Sequence, residues 1–291
     1  MSRTSVFEGD CSHDLGVDDT ATGNWWVKQI TAGDTGIVHS AGQNWGGWST
    51  VLPVPGNYTT NRPGDEKAVF DTRDGNWFID DGGALPSLQW GAPGTTPVPG
   101  DFDGDDLTDP AVFDGETGNW FVRSMTGGVI VNGDNWGWTG TQPIVADFNG
   151  DNCDDLAVFD INTYRWFIRE AISNNVLVAE IWWGYPGTIP FALNFDADPE
   201  FELGAYDPNG GRWHVADVPG TTSSNIWIDA AAWGFPGALP APANYDGSTD
   251  VWELGVYHQT TGNWYIRGVN GTTPANWGWP GGNVVPLGAA N

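Results

Sequence analysis

The chain has 291 residues and a formal net charge of −27, with 37 Asp and Glu against 10 Lys and Arg. Such a surface repels phosphate backbones and anionic membranes, which sets nucleic acid and anionic lipid aside as partners. Gly, Pro and Trp are abundant (42, 20 and 19 residues). There is no long Ala/Leu/Glu/Lys stretch and no apolar run near the roughly 18 residues that span a bilayer, so an all-β chain without a transmembrane segment is expected.

Taken in chain order, one unit recurs six times. Met1–Glu8 has no apolar signal core. The first repeat begins at what reads as a second strand, Asp14-Leu-Gly-Val17, continues through Thr22-Gly-Asn-Trp25, and turns at Trp45-Gly46. The next repeats carry Asp74-Gly-Asn-Trp77 with Trp90-Gly91, and Thr117-Gly-Asn-Trp120 with Trp136-Gly137. Thr163-Tyr-Arg-Trp166 with Trp183-Gly184, Asn209-Gly-Gly-Arg-Trp213 with Trp233-Gly234, and Thr261-Gly-Asn-Trp264 with Trp277-Gly278 complete the series. The period is about 43–52 residues, in the range of propeller blades. Repeat four shows the unit clearly: strands at Pro143–Asp147, Asp155–Phe159, Arg165–Arg169 and Asn175–Trp182. Residues Trp166 and Ile168 alternate with Phe167 and Arg169, the period of a strand with two unlike faces.

Four antiparallel strands taken six times predict a single domain over 1–291, a six-bladed β-propeller. Stacked blades bury one another and closure removes exposed edges. The surplus segment Val284-Val-Pro-Leu287 is expected to supply the strand that the first blade lacks. A parallel β-helix is the structural alternative, with shorter repeats.

The loops between first and second strands carry the chemistry. Asp101, Asp103, Asp105 and Asp109 stand at loop positions one, three, five and nine, with Leu107 offering a backbone carbonyl at seven. Alternate ligands in a turning loop converge on one point. Oxygen-only donors suit calcium, which takes six to eight ligands, better than zinc. Asp147, Asn149, Asp151, Cys153 and Asp155 repeat the pattern, with Cys153 at the backbone-ligand place. Asn194, Asp196, Asp198, Glu200 and Glu202 keep oxygen donors but replace Gly with Ala197. Asn244, Asp246, Ser248 and Glu253 form a weaker copy, and Asn57-Tyr-Thr59 has lost its leading carboxylates. The first copy, Glu8-Gly-Asp10 to Asp14, is split. About two to four structural calcium ions are expected, each relieving repulsion among clustered carboxylates. A saline habitat is a second explanation for the acidity. Cys11 and Cys153 lie three repeats apart and read as free thiols.

The sequence Pro97-Val-Pro-Gly-Asp101-Phe-Asp-Gly-Asp105, followed by Asp109-Pro-Ala-Val-Phe113, Thr-Gly-Asn-Trp and Trp-Gly, resembles bacterial FG-GAP/VCBS-type propeller repeats. The resemblance covers nearly the whole chain and is strongest in repeats three and four. It implies a calcium-stabilised propeller, extracellular or at a cell or virion surface, of a kind used for adhesion or ligand binding. The family's calcium pattern falls on Asp101, Asp103, Asp105 and Asp109, on Asp147, Asn149, Asp151 and Asp155, and on Asn194, Asp196, Asp198 and Glu202. No single activity comes with it.

Catalysis on a repeat scaffold should interrupt the repeat, and no interruption is evident. His13, His39, His214 and His258 are scattered. Arg123, Arg169 and Arg267 share one repeat position with Lys28, three residues after the blade Trp, and read as structural cations beside acidic neighbours. Aromatic residues near the turns, Trp48, Trp138, Tyr185, Phe235 and Trp279, suit stacking on sugar rings, or else fill the gaps between blades. The leading expectation is a non-catalytic, lectin-like binding or adhesion module that gains avidity on glycans. The alternative is a scaffold subunit of a surface layer, filament or viral appendage that self-assembles through other surface proteins. Glycan hydrolysis ranks third.

Overall fold

The computed structural model describes residues 6–7, 12–29, 38–61, 63–83, 87–196, 198–220, 226–247, 251–267, 275–280 and 284–287. They carry 24 strands and, among the described residues, no helix. The strands form six four-stranded antiparallel sheets, the blades of a six-bladed propeller. In blade four, Thr141–Ala146, Asp155–Asp160, Arg165–Arg169 and Val176–Trp182 pair in chain order. The predicted boundaries in this blade shift by one or two residues. The first strands of blades four and five, Thr141–Ala146 and Ile189–Leu193, touch one another, as strands nearest the axis must.

Closure occurs in blade one. Its first strand is Val284–Pro286, paired antiparallel to Asp14–Asp19 in the register Val17–Pro286, Asp18–Val285 and Asp19–Val284. Leu287 N–H then donates to the Gly16 carbonyl at 2.9 Å. Gly16 leaves room for that contact, since a Cβ there would lie 2.6 Å from Leu287 Cδ1.

The repeated Trp residues form a hydrogen-bonded frame. The strand Trp of every blade (Trp25, Trp77, Trp120, Trp166, Trp213, Trp264) is at most 1% exposed. Its indole N–H donates to the carbonyl of the same blade's turn Trp at 2.5–2.9 Å. A buried indole needs such an acceptor, and the bond ties strand three to the outer turn. The turn Trp then reaches across. Trp45, Trp90, Trp136 and Trp277 donate to carbonyls of Phe78, Phe121, Phe167 and Trp26 in the next blade at 3.1–3.3 Å. The Trp277–Trp26 bond crosses the ring's seam. The hairpin before the strand Trp turns left-handed against the Trp-Gly turn, which five blades meet with Gly and blade four with Tyr164 at φ 60°. Gly118 has φ 76°, and a Cβ on it would lie 2.1 Å from the Gly137 carbonyl oxygen.

A second ladder runs through the acidic corners. In all six joints the N–H of the residue at loop position eight, one residue later in the longer loops of blades two and six, donates to the position-one carbonyl of the preceding blade. The pairs are Asp65–Val6, Thr108–Asn57, Asp154–Asp101, Phe201–Asp147, Trp252–Asn194 and His13–Asn244, at 2.7–2.9 Å. In four joints a side chain answers with a second bond, and in three of them Asp65, Thr108 and Asp154 accept the position-one N–H at 2.8–3.0 Å. At the seam, Asn244 N–H donates to His13 Nδ1 at 3.1 Å. Burial pushes the His13 pKa down to about 4, so the ring is neutral at pH 7 and able to accept.

Candidate ion-binding corners and the aromatic turn face

Each acidic corner is held by its last carboxylate. The N–H at loop position two donates in all six blades to the acid at position nine, which stands one residue later in blades two and six. Five of these bonds (Phe7–Asp14, Tyr58–Glu66, Phe102–Asp109, Phe148–Asp155, Tyr245–Glu253) measure 2.6–3.2 Å. Phe195–Glu202 is the sixth. The bond persists in blade two, whose loop has lost its leading carboxylates. The position-nine acid is therefore a structural clasp first, whatever else it does, and sequence reasoning missed this.

In blade three, Asp101, Asp103 and Asp109 each offer an oxygen within 4.8 Å of the others. Two oxygens on one calcium ion stand at most about 4.8 Å apart, twice a bond length of about 2.4 Å. The three therefore fit a shared ion. Asp101 also accepts the N–H groups of Gly104, Asp105 and Asp106, which wraps the loop around it. Asp105 stands apart from this group: it accepts Leu107 N–H and the Thr126 hydroxyl at 2.9 and 2.6 Å. Leu107 itself is buried. Burial first, then the Asp103 charge, pushes the Asp109 pKa up to about 7.

Blade five gathers Asp196, Asp198 and Glu202 within the same span. Burial, with the charges of Asp196, Asp198 and Asp217, pushes the Glu202 pKa up to about 9. Asn194 Nδ2 donates to the Asp198 carbonyl, and Glu200 N–H to the Asp198 side chain. Ala197 lies outside the described residues. In blade four, Asp147 wraps the loop as Asp101 does, accepting Gly150, Asp151 and Asn152 N–H. Burial pushes Asp155 up to about 8. At the place of Asp103 blade four has Asn149, so Asp147 and Asp155 lack the third carboxylate that completes the blade-three group. Asn149 Oδ1 accepts Asp151 N–H, and its Nδ2 donates to Glu170 at 3.2 Å. Cys153 donates its N–H to Asp151, and its thiol, free, is pushed up to about 11 by burial and the surrounding carboxylates. In blade six, Asn244 accepts Gly247 N–H and Glu253 is pushed up to about 7 by burial. Asp246 is exposed there. Ser248, and the Glu8–Cys11 stretch of the first copy, lie outside the described residues.

A carboxylate from a second loop also enters these corners. Glu170 and Asp217 each directly follow the third strand, and each acts on its own blade's acidic loop. Asp81, at the equivalent place in blade two, sits 3.4 Å from Asn61 Nδ2. A column of acids after Arg169, Ala216 and Asp80 was legible in the repeats but has no meaning until the hairpins fold over.

At the turns, the five candidate aromatics all pack edge-on against the next blade. Trp48 meets Phe78 at 5.4 Å, Trp138 meets Phe167 at 4.9 Å and Tyr185 meets His214 at 5.3 Å. Phe235 meets Tyr265 at 5.1 Å, and Trp279 meets Trp26 at 4.3 Å across the seam. Trp48 donates to Asp71, and Tyr185 lies 3.3 Å from His214 Nε2. Four of the five are half-buried, while Trp138 is 41% exposed.

The third-strand cations reach the blade before. Lys28, Arg123 and Arg169 lie over the rings of Trp277, Trp90 and Trp136, the turn Trp of the preceding blade, at 5.4–5.9 Å. Arg169 also has Asp134 at 3.7 Å, so there the π face adds to an acidic neighbour. Arg267 is exposed.

The repeat does break, in blade one. At the fifth residue of the second-strand motif, five blades place Phe70, Phe113, Phe159, Tyr206 or Tyr257, each 5.0–5.6 Å from its blade Trp. Blade one has Asp18, 1% exposed, with Oδ1 unpartnered. Burial, then Asp19, pushes its pKa up to about 7. The adjoining turn is also irregular, with two glycines, Gly46 and Gly47, at φ 101° and 96°.

No protein-family model and no curated protein matches this chain. Similar solved structures include an Agrocybe aegerita lectin described as recognising non-reducing terminal N-acetylglucosamine (TM-score 0.54, 12% identity, 94% of this chain and 79% of that chain). Virginiamycin B lyase from Staphylococcus aureus gives TM-score 0.53 at 11% identity over 94% of this chain and 88% of its own. BBS1N in complex with ARL6DN gives TM-score 0.52 at 10% identity over 100% and 94%. At such identities the likeness is one of fold, and the chain is a β-propeller.

Proposed function

We propose that this chain is a non-catalytic binding or adhesion propeller, stiffened by structural calcium at its acidic corners, that engages glycans at its turn face in the extracellular or surface setting. The observation that carries the reading is the repetition itself. Indoles, hairpin acids and position-nine carboxylates recur blade after blade in hydrogen bonds that hold the ring, so their job is rigidity. A rigid ring presenting several similar faces is suited to weak, repeated contacts. A recognised lectin shares the fold, which makes the reading natural but does not by itself supply it. Calcium is supported by oxygen spacing in blades three and five and by carboxylates that burial would otherwise protonate. The corners would hold the ion through Asp101, Asp103 and Asp109, and through Asp196, Asp198 and Glu202. The ion's contribution there is charge neutralisation.

Trp138 is the turn aromatic best placed for a sugar face. A glycan array with calcium present should show saturable binding that Trp138→Ala weakens at least about tenfold, a loss in the range of stacking hot spots. Hydrolysis of an arrayed glycan, or no binding across a broad array, would refute the reading. A scaffold role is the second reading, favoured by the apolar outer edge of blade four.

A further inference from the structure

The clasp that closes the ring is short, and it lies along a buried acid. Val284–Pro286 pairs with three residues of Asp14–Asp19, whereas the first two strands of blade four pair over six. The middle one of the three is Asp18, in register with Val285 on one flank and Trp25 on the other. It is buried, and its Oδ1 has no hydrogen-bond partner among the described residues. Its surroundings are apolar. Trp25, Val27, Val51, Val69 and Leu287 form one buried cluster that joins blade one, blade two and the residue after the clasp.

Such a place suits a neutral carboxyl group and disfavours a carboxylate, because no donor replaces the water that the charge gives up. The charges that could offset this are engaged elsewhere. In blade two, Asp71 is paired with Arg73 and Lys67 with Asp80. Lys28 and Asp14 stand at the far end of the first two paired strands, Lys28 over Trp277 and Asp14 accepting Phe7 N–H. Asp19 is adjacent and has the same sign as an ionised Asp18. Water reaches Asp18 most readily from the clasp side, since the other flank, Trp25, is bonded within the blade to the Trp45 carbonyl.

We propose that Asp18 makes ring closure proton-dependent: the clasp is held while this carboxyl group is neutral and opens more often once it ionises. Burial, then the Asp19 charge, pushes the Asp18 pKa up to about 7 from an ordinary 3.8. The closed clasp therefore binds the proton more tightly than the open one. Its stability is full below about 4, falls up to about 7 and is level above that. His13 acts in the opposite sense. It too is buried in blade one, with its pKa pushed down to about 4, so its cost grows towards acid. Its bond to Asn244 lies on the seam with blade six, outside the clasp. The two costs offset one another in the stability of the whole chain, so the clasp itself must be read. The proposal rests on neither the calcium nor the glycan reading.

Amide hydrogen exchange on the full chain, at fixed calcium and corrected for the intrinsic rate, tests it at about pH 5 and about pH 7.5. The opening constant at Leu287, whose N–H donates to the Gly16 carbonyl, and along Val17–Asp19 should rise at least about tenfold at the higher pH. Thr141–Ala146, the first strand of blade four, should not change. Asp18→Asn keeps the size and removes the ionisation; Asp18→Phe restores the ring that most blades carry. In either variant the rise at Leu287 should disappear. A clasp indifferent to pH, a rise that survives in both variants, or a blade four that loosens in step with the clasp would each overturn the proposal.

Discussion

Blades one and four are built from the same unit and differ in how much of it they keep. In blade four the first strand pairs over six residues, Thr141–Asp160 through Ala146–Asp155, and Phe159 backs Trp166. In blade one the first strand comes from the far end of the chain, three of its residues pair, and the backing ring is replaced by Asp18. Trp25 is as buried as Trp166 in spite of this. The lesson is that the indole frame tolerates a poor neighbour because its hydrogen bond, Trp25 to the Trp45 carbonyl, is made within the blade. The weak blade is thus also the closing blade.

The largest test strips the corners. If calcium fills blades three and five, chelation should lower Tm by about 10–20 °C, taking about 2.7 kcal/mol per site at a hundredfold excess over Kd and about 2–4 °C per kcal/mol. Hydrogen exchange should then rise at 101–109 and 194–202 well before it rises along Asp14–Asp19. Uniform loosening of all blades, or an unchanged Tm, would remove the distinction. Next in size, Phe159→Asp gives blade four the defect of blade one. It should cost about 4 kcal/mol or more, from a lost ring and a buried carboxylate, read by urea denaturation.

The reverse exchange repairs blade one. Asp18→Phe should stabilise the protein by about 1–3 kcal/mol, chiefly by removing an unpaired buried carboxylate. The sign with pH follows from a folded pKa raised to about 7 above an ordinary value of 3.8. The folded state then holds the proton more tightly than the unfolded state. Asp18 therefore costs nothing at pH below about 4, costs progressively more up to about 7, and is level above that. The gain from Asp18→Phe should accordingly be larger at pH 8 than at pH 4; a gain independent of pH would contradict the assignment. The smallest effect is Arg123→Met, which removes a cation from the Trp90 face while keeping the chain's reach. About 0.5–1 kcal/mol is expected, in thermal denaturation at low salt.

Much of the fold was legible in the residues. Strand limits in repeat four needed shifts of one or two positions, and the closing role of Val284–Pro286 followed from a missing strand at one end and a spare at the other. The acidic corners were visible as spacing, but convergence was not. Asp105 turns to Thr126, a residue of another hairpin, and Glu170 and Asp217 arrive from beyond the loop. The cations at Lys28, Arg123 and Arg169 were recognised as structural, but the π face each covers was not legible, since that Trp belongs to the blade before. Asp18 was the readable signal left unread. Aligning Asp14-Leu-Gly-Val-Asp18 under Asp155-Leu-Ala-Val-Phe159 exposes the odd member, but in linear order it disappears among many acids.

The ladder from loop position eight to position one has a consequence for how the protein could be rewired. It crosses the seam at His13–Asn244 with the same bond that joins the covalently continuous blades. The peptide link between neighbours is therefore incidental to their docking. A circularly permuted gene, opened in an exposed hairpin and with its old ends tethered, should rebuild the same wheel from a different starting blade.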